Sequence, residues 1–388
     1  MSDLIRGRFG IIASLLACMA YDLVALVHDA FVVHVLSSHE KVISDARGDN
    51  LSEAGAQRIA IVAVRPNVHS EPFTLNLLRA LRETGYYTLI VSNAVLSERQ
   101  RDLFRSWSNR IIERAPVGRD FGCYQTGLKA LGLLGSEVPS QCERLVLAND
   151  SMFYRADSGK IIADMERLDN AWSAMFENYE HAYHAQSFFL MFGPEVFGSS
   201  AFKRFWLRYK PYSSRTHSIK KGEIGLSRAL KRASFTPTAY FNSVRIQRVV
   251  EEVWNDPLEV CRVLPDISKI SASVWSERIQ SLVDRGLAIN RPQTAMAYLW
   301  EDFSRKTAWT AESTNPTHML GLFLNRFANA PLKRDLCYRN TCTIAQVARY
   351  ACGFDDRELA ALQSDLRSRG LAISLGPIKR LLFIRGRI

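Results

Sequence analysis

Residues 145–154 read LVLANDSMFY: four apolar side chains, then Asn149, Asp150 and Ser151, then Met152, Phe153 and Tyr154. A continuous apolar run this short predicts a strand covered on both faces rather than one with a wet side. In sheets of that kind ligands bind beyond the carboxyl ends of the strands, so a carboxylate closing a buried strand marks where the sheet presents a site. The alternative for Asp150 is an Asx-turn that only ends the strand.

The flanking sequence supplies the rest of such a sheet. RIAIVAV (58–64) is a β-branched strand, and EPFTLNLLRALRETG (71–85) places Phe73, Leu77, Leu78 and Leu81 at helical spacing before Gly85 stops the helix. YYTLIVSN (86–93) predicts a second strand, SERQRDLFRSW (97–107) a helix capped by Ser97, and RIIER (110–114) a third strand. A helix over 121–134 then leads to the strand at 144–148. Strands alternating with helices pair in parallel through right-handed crossovers, which makes the fold class α/β with a mainly parallel sheet. AWSAMF (171–176) and HAQSFFLMF (184–192) extend it, and a helix is expected near 194–209. From about Ser243 the pattern turns mainly helical, in SVRIQRVVEEVW (243–254), VWSERIQSLVDRG (274–286) and TAMAYLWEDFSRK (294–306). The organisation expected is an apolar helical segment over 1–50, an α/β domain over 51–243 and a mainly helical region over 244–388.

A chain of 388 residues has room for a large core, and 47% hydrophobic with 23% charged residues is a globular balance. Lys and Arg number 50 against 39 Asp and Glu, a net charge of +11 that favours anionic partners. No nucleic-acid motif accompanies that charge, so no nucleic acid is expected. Cys18, Cys123, Cys142, Cys261, Cys337, Cys342 and Cys352 form neither a CxxC pair nor metal-ligand spacing with histidine, which argues for a reducing, cytoplasmic compartment. FGIIASLLACMAYDLVALVHDAFVVHVL (9–36) is the most apolar stretch, but Asp22, His28 and Asp29 interrupt it. It reads as a packed amphipathic helix pair or an interfacial helix rather than a span. PIKRLLFIRGRI (377–388) suits an anionic leaflet or a solvated terminus.

Neither GxGxxG after a strand nor GxxxxGK[ST] is present, which argues against a nicotinamide enzyme and a P-loop kinase. Asp120-Phe121-Gly122 lacks the HRD and glycine-rich loops that a protein kinase needs. VGRDFGCYQTGL (117–128) instead sets Arg119 and Asp120 at the mouth of a helix, where backbone N–H groups, the helix dipole and the guanidinium could meet an anion. Asp120 either accepts hydrogen bonds from a base or ribose or simply caps the helix. Asp150 could take part in holding a divalent cation, Mg²⁺ or Mn²⁺, that bridges a diphosphate, with waters or phosphates completing the shell. In HAYHAQSFF (181–189), His184, Gln186 and Ser187 are hydrogen bonders suited to a sugar or phosphate, with a structural role as the alternative. Glu223, at a helix start behind the polar, basic loop KPYSSRTHSIKKGE (210–223), is either a solvated first-turn glutamate or a general base for an acceptor hydroxyl. No Ser/His or Cys/His nucleophile arrangement is evident, which fits a one-step displacement.

IAIVAV, LIVSN, GRDFGCYQTGL, LVLANDSMFY, HAQSFFLMF, GEIGLSRAL, NPTHML and PLKRDL occur in one order across residues 58–340, with a gap at about 243–308. That ordered set resembles the rhamnan synthesis protein F family of bacterial glycosyltransferase-like proteins. The resemblance implies a GT-A-like nucleotide-sugar-binding domain. It implies transfer, with inversion, of a deoxysugar such as rhamnose from a nucleotide-diphosphate sugar. The acceptor would be a hydroxyl of a glycan or lipid-linked glycan in a surface polysaccharide such as O-antigen. The expected place is the cytoplasm, or peripherally the inner face of the cytoplasmic membrane, where the apolar N-terminal run and the basic tail, both outside the resemblance, would meet an anionic surface. Carried over by position, Arg119, Asp120, Asn149, Asp150, Ser151, His184, Gln186 and Ser187 fall on the donor side, Asp150 at the metal-binding DxD and Glu223 at the base. Asn149-Asp150-Ser151 lacks the second carboxylate of DxD, and Phe188 stands where the family has tyrosine. A non-catalytic glycan or lipid-surface assembly protein that keeps the transferase fold is the alternative.

Overall fold

The computed structural model describes residues 42–46, 57–135, 141–253, 314–338 and 341–370, with isolated positions between 19 and 33 and at 263. The helices expected at 274–286 and 294–306, most of the apolar N-terminal run and the basic tail at 377–388 lie outside the described residues. Among the described residues no helix is long and apolar enough to cross a membrane.

The four expected strands are β2 (Arg58–Val64), β3 (Tyr87–Ser92), β4 (Arg110–Arg114) and β5 (Arg144–Asn149). They pair in parallel, β4 to β3, β3 to β2 and β2 to β5. β1 (Val42–Ala46) adds antiparallel to β4 at the edge, a strand inside the segment expected to be helical. Beyond β5 come β7 (Trp172–Asn178), β9 (Phe189–Phe192) and β10 (Thr238–Phe241), and the two-residue β8 (His184–Ala185) pairs with β7. The order is β1-β4-β3-β2-β5-β9-β7-β10, a nine-stranded sheet in which β9 lies antiparallel between β5 and β7 and β10 pairs in parallel with β7. The class is therefore mixed α/β with a large, mostly parallel sheet.

Helices cover both faces, as the continuous apolar strands require. Ala60, Val62 and Val64 of β2 point into one cluster, against α1 (Glu71–Glu83) with Phe73, Leu77 and Leu81, and α4 (Ser158–Glu166) with Ile162 and Met165. Ile59, Ile61 and Ala63 point into the other, against α3 (Arg119–Ala130), α5 (Ser200–Arg208) and α6 (Ile224–Arg232). This alternation is the two-residue strand period with apolar cover on each side. α3 approaches closely because Gly127 has no side chain: a Cβ there would stand 2.6 Å from Ile61 Cγ2. α2 (Glu98–Arg105) carries the expected Ser97 cap, reciprocated by Gln100.

Ser243–Glu252 and the described residues of 314–370 complete the first face. α7 (Ser243–Glu252), α8 (Gly321–Ala328), α9 (Ile344–Tyr350) and α10 (Asp356–Arg369) contribute Val250, Phe323, Val347 and Leu366 to the cluster that holds Phe73. Their link to the sheet end is a two-stranded ribbon, β11 (Leu332–Lys333) antiparallel to β6 (Met152–Phe153).

Two expectations change in detail. The stretch 210–223 is only partly a loop: Arg215–His217 is helical and Ser218–Glu223 is π-helical, running straight into α6. Glu223 therefore sits inside a continuous helical path rather than in a first turn. The helix expected to reach 134 ends at Ala130, where the chain turns into Gly132 at φ +70°.

Candidate functional site

Because β9 runs antiparallel to β5, its beginning meets the end of β5. Ala148 pairs with Phe189, so Gln186, Ser187 and Phe188 arrive beside Asn149, whose N–H donates to Phe188 O at 3.1 Å. α3 starts at the same end of the sheet. Tyr124 on it donates to Ser187 O at 2.8 Å, and Tyr154 donates to Phe188 O at 2.9 Å. These bonds fix the backbone at one end of a cleft of about 420 Å³. Arg119, Asp120, Asn149, Ser151, His184, Gln186, Ser187 and Glu223, all expected from sequence, line it together.

The acidic side centres on Glu223. Its Oε1 accepts from Ser187 N–H at 3.0 Å and from Ser187 Oγ at 2.7 Å, and its Oε2 lies 3.6 Å from His184 Nε2. His184 Nδ1 is 2.8 Å from Ala182 O, which assigns a proton to Nδ1 and leaves Nε2 turned toward the glutamate. Ser187 thus fixes the orientation of the Glu223 carboxylate at the cleft. Asp120 accepts from Asn149 Nδ2 at 3.0 Å; burial pushes its carboxyl up to about 6, against the pull of Arg119. Gln186 donates to Asn315 Oδ1 at 2.9 Å, while its own buried Oε1 has no partner among the described residues. A buried acceptor without a donor is a place where a ligand hydroxyl or N–H would be satisfied.

Most of the basic side comes from sequence far downstream, with Arg215 of the 210–223 stretch added to it. Lys333 Nζ donates to Ser151 Oγ at 2.9 Å and lies 4.7 Å over the Phe188 ring. Arg215, Arg334, Arg369 and His318, the last 2.9 Å from Asp335 Oδ1, also line the cleft. Sequence reasoning assigned no role to any of these. The only signal was the ordered occurrence of NPTHML and PLKRDL, which points to segments without saying that they return to the end of β5.

Asp150 is the exception among the expected residues. Its carboxylate does not line the cleft but turns inward, accepting from Arg65 N–H at 2.9 Å and lying 3.6 Å from Arg334 Nη1. Burial raises its pKa while Arg334 and the Arg65 N–H oppose that rise. Arg334 also donates to Asp150 O at 2.8 Å and grips the buried Asp365 at 2.6 and 3.1 Å. Asp365 accepts further from Asn67 and Arg369; burial works against its ionisation, but the two guanidinium groups hold its carboxyl below the usual range. Among the described residues no group of three His, Cys, Asp or Glu side chains is arranged to hold a metal ion. Turned from the cleft and engaged by Arg334 and the Arg65 N–H, the Asp150 carboxylate does not fit the role of cation ligand in this arrangement.

The uncharacterized protein y4gN of Sinorhizobium fredii (strain NBRC 101917 / NGR234) is 29% identical to the chain over 163 residues, 41% of this chain and 42% of that protein. The chain thus spans less than half of the length of that relative. Among solved structures, a provisionally assigned nucleotide-diphospho-sugar transferase from Desulfovibrio desulfuricans G20 aligns at 13% identity, over 47% of this chain and 79% of that one. Its TM-score is 0.27, a likeness too slight to carry an argument. Residues 88–258, the stretch that bears Asp120, Asn149, Ser187 and Glu223, match the model of the rhamnan synthesis protein F family.

Proposed function

We propose that the chain is a glycosyltransferase of GT-A type that moves a deoxysugar, rhamnose in the family's sense, from a nucleotide-diphosphate sugar to a glycan hydroxyl with inversion. The observation that carries this reading is the Glu223 carboxylate, clamped through one oxygen by Ser187 at the end of the sheet and facing a cleft that also holds Asp120, Arg119 and Gln186. The match to the rhamnan synthesis protein F family supports it.

In the reaction Glu223 removes the proton of the acceptor hydroxyl as its oxygen attacks the anomeric carbon. The bond from that carbon to the phosphate oxygen breaks, and its electron pair leaves with the nucleoside diphosphate. Asp120 and Asn149 face the nucleoside or sugar hydroxyls, and Gln186 Oε1 accepts from a hydroxyl of the bound sugar. No protein nucleophile is needed for a single displacement.

Thermal shift against a panel of nucleotide sugars, followed by assay of nucleoside diphosphate release with glycan acceptors, tests this. A rise in melting temperature with one donor, and release that Glu223→Gln abolishes, is the expected result. Absence of any shift at saturating donor would overturn it. Binding without transfer to any acceptor would favour the non-catalytic assembly reading instead.

A further inference from the structure

A transferase of the proposed kind must neutralise charge on a departing diphosphate, and such charge stabilisation is usually the largest catalytic contribution. The carboxylate expected to recruit a metal for that purpose is occupied. Asp150 lies against Arg334 and the Arg65 N–H, and its orientation is locked by the buried Asp365 behind Arg334.

What reaches the cleft next to Asp150 is an ammonium group. Lys333 leaves β11 so that its Nζ meets Ser151, the residue after Asp150, and rests on the face of Phe188. Ser151 takes one of its three N–H donors, and no acceptor for the other two exists among the described residues. Burial lowers its pKa, whereas the carboxylates of Asp335, Glu223 and Asp120 favour the charged form, so the ammonium lies within electrostatic reach of both acidic groups of the site. Partial burial leaves the charge poorly hydrated, which strengthens its attraction for an anion that enters.

The position is fixed on every side. The ribbon pairs Lys333 with Met152, Arg334 N–H donates to Ser151 O at 3.1 Å, and the Arg334–Asp365 grip holds the next residue. A flexible surface lysine would lose side-chain entropy on meeting a phosphate; this one has lost much of it already.

We propose that Lys333, rather than a divalent ion held by Asp150, binds the diphosphate of the donor and stabilises it as the leaving group. This rests on the transferase reading above. As the bond to the anomeric carbon breaks, negative charge builds on the terminal phosphate oxygen, and the two open N–H donors of Lys333 receive it. The lysine stays protonated throughout, so no further proton acceptor enters the step.

Calorimetric titration of the full chain with UDP, GDP and dTDP, in EDTA and again with excess Mg²⁺ or Mn²⁺, tests the assignment. One diphosphate is expected to bind in EDTA, and Lys333→Met to weaken it by about tenfold or more while weakening the matching monophosphate less. Lys333→Arg should keep most of the affinity. Circular dichroism and the ligand-free melting temperature show whether Lys333→Met folds; Lys333→Gln, which can still donate to Ser151, replaces it if not. Binding that appears only with the divalent ion, or a Lys333 variant that binds like the parent, overturns the role of Lys333 and leaves the transferase reading standing. No binding of any diphosphate under either condition overturns both.

Discussion

Ser187 gives both of its donors to one oxygen of Glu223, the N–H at 3.0 Å and the hydroxyl at 2.7 Å. That leaves Oε2 of the same carboxylate on the His184 side, 3.6 Å from Nε2. One residue thus fixes the orientation of the proposed base without using up its second oxygen.

Replacement of Glu223 by Gln keeps the shape and removes the proton acceptor. The turnover number should fall by about 10²–10⁴ while the donor-induced rise in melting temperature persists. Ser187→Ala leaves the N–H bond and removes one charge-assisted hydrogen bond, so its effect should be about tenfold. Steady-state assays of nucleoside diphosphate release on both variants check the ranking, and an inverted order would mean that Ser187 rather than Glu223 does the chemistry.

Arg334 is 4% exposed and its partner Asp365 is fully buried. Arg334→Met leaves Asp365 with only Arg369 and Asn67 and leaves the Asp150 carboxylate with only the Arg65 N–H, and should cost about 3–5 kcal/mol in urea unfolding. The double variant Arg334→Met with Asp365→Leu should lose less than the sum of the two single losses, because it leaves no stranded partner within the pair. Additive losses would show that the two side chains act independently.

Gly118, at φ +82° before α3, faces Pro211: a Cβ there would stand 2.4 Å from Pro211 Cβ and 2.6 Å from its carbonyl oxygen. Gly118→Ala should therefore destabilise by more than about 2 kcal/mol and weaken nucleotide binding through Arg119. Gly85 has the same φ with nothing within 4 Å, so Gly85→Ala should cost only about 1 kcal/mol. Chemical denaturation of the pair separates strain from collision.

Burial lifts the Asp120 carboxyl to about 6, above its unfolded value. The folded state then holds its proton more tightly than the unfolded chain does. The stability contributed is fully present below about pH 4 and is lost as pH rises through about 6. Asp120→Asn removes this dependence, so its stability relative to the parent should improve by on the order of 1–3 kcal/mol between pH 4 and pH 7. Melting curves across that range check it, and a constant offset would mean that Asp120 ionises as an ordinary carboxyl.

The strands β2 to β5 could be read from sequence because buried parallel strands are short apolar runs, punctuated here by Gly85 and the Ser97 cap. Of the eight cleft residues named from sequence, Arg119 and Asp120 begin a helix, Asn149, Ser151, His184, Gln186 and Ser187 lie at or beside strand ends, and Glu223 lies within a continuous helical path. β1 escaped because Val42 and Ile43 are exposed at an edge and show no inward alternation. The π-helical turn at Ser218–Glu223 depends on which carbonyl each N–H selects, a choice composition does not encode. Asp150 was placed correctly along the chain but not in direction, since Arg334, which turns it inward, is 184 positions away.

The short ribbon between Met152–Phe153 and Leu332–Lys333 is where a segment from far downstream returns to the end of the sheet. The stretch that matches the rhamnan synthesis protein F model ends at 258 and carries Glu223, the proposed proton acceptor; Lys333 arrives from the later PLKRDL segment. A fragment that stopped at the end of the matched stretch would keep Glu223 but lose the ammonium group that meets Ser151.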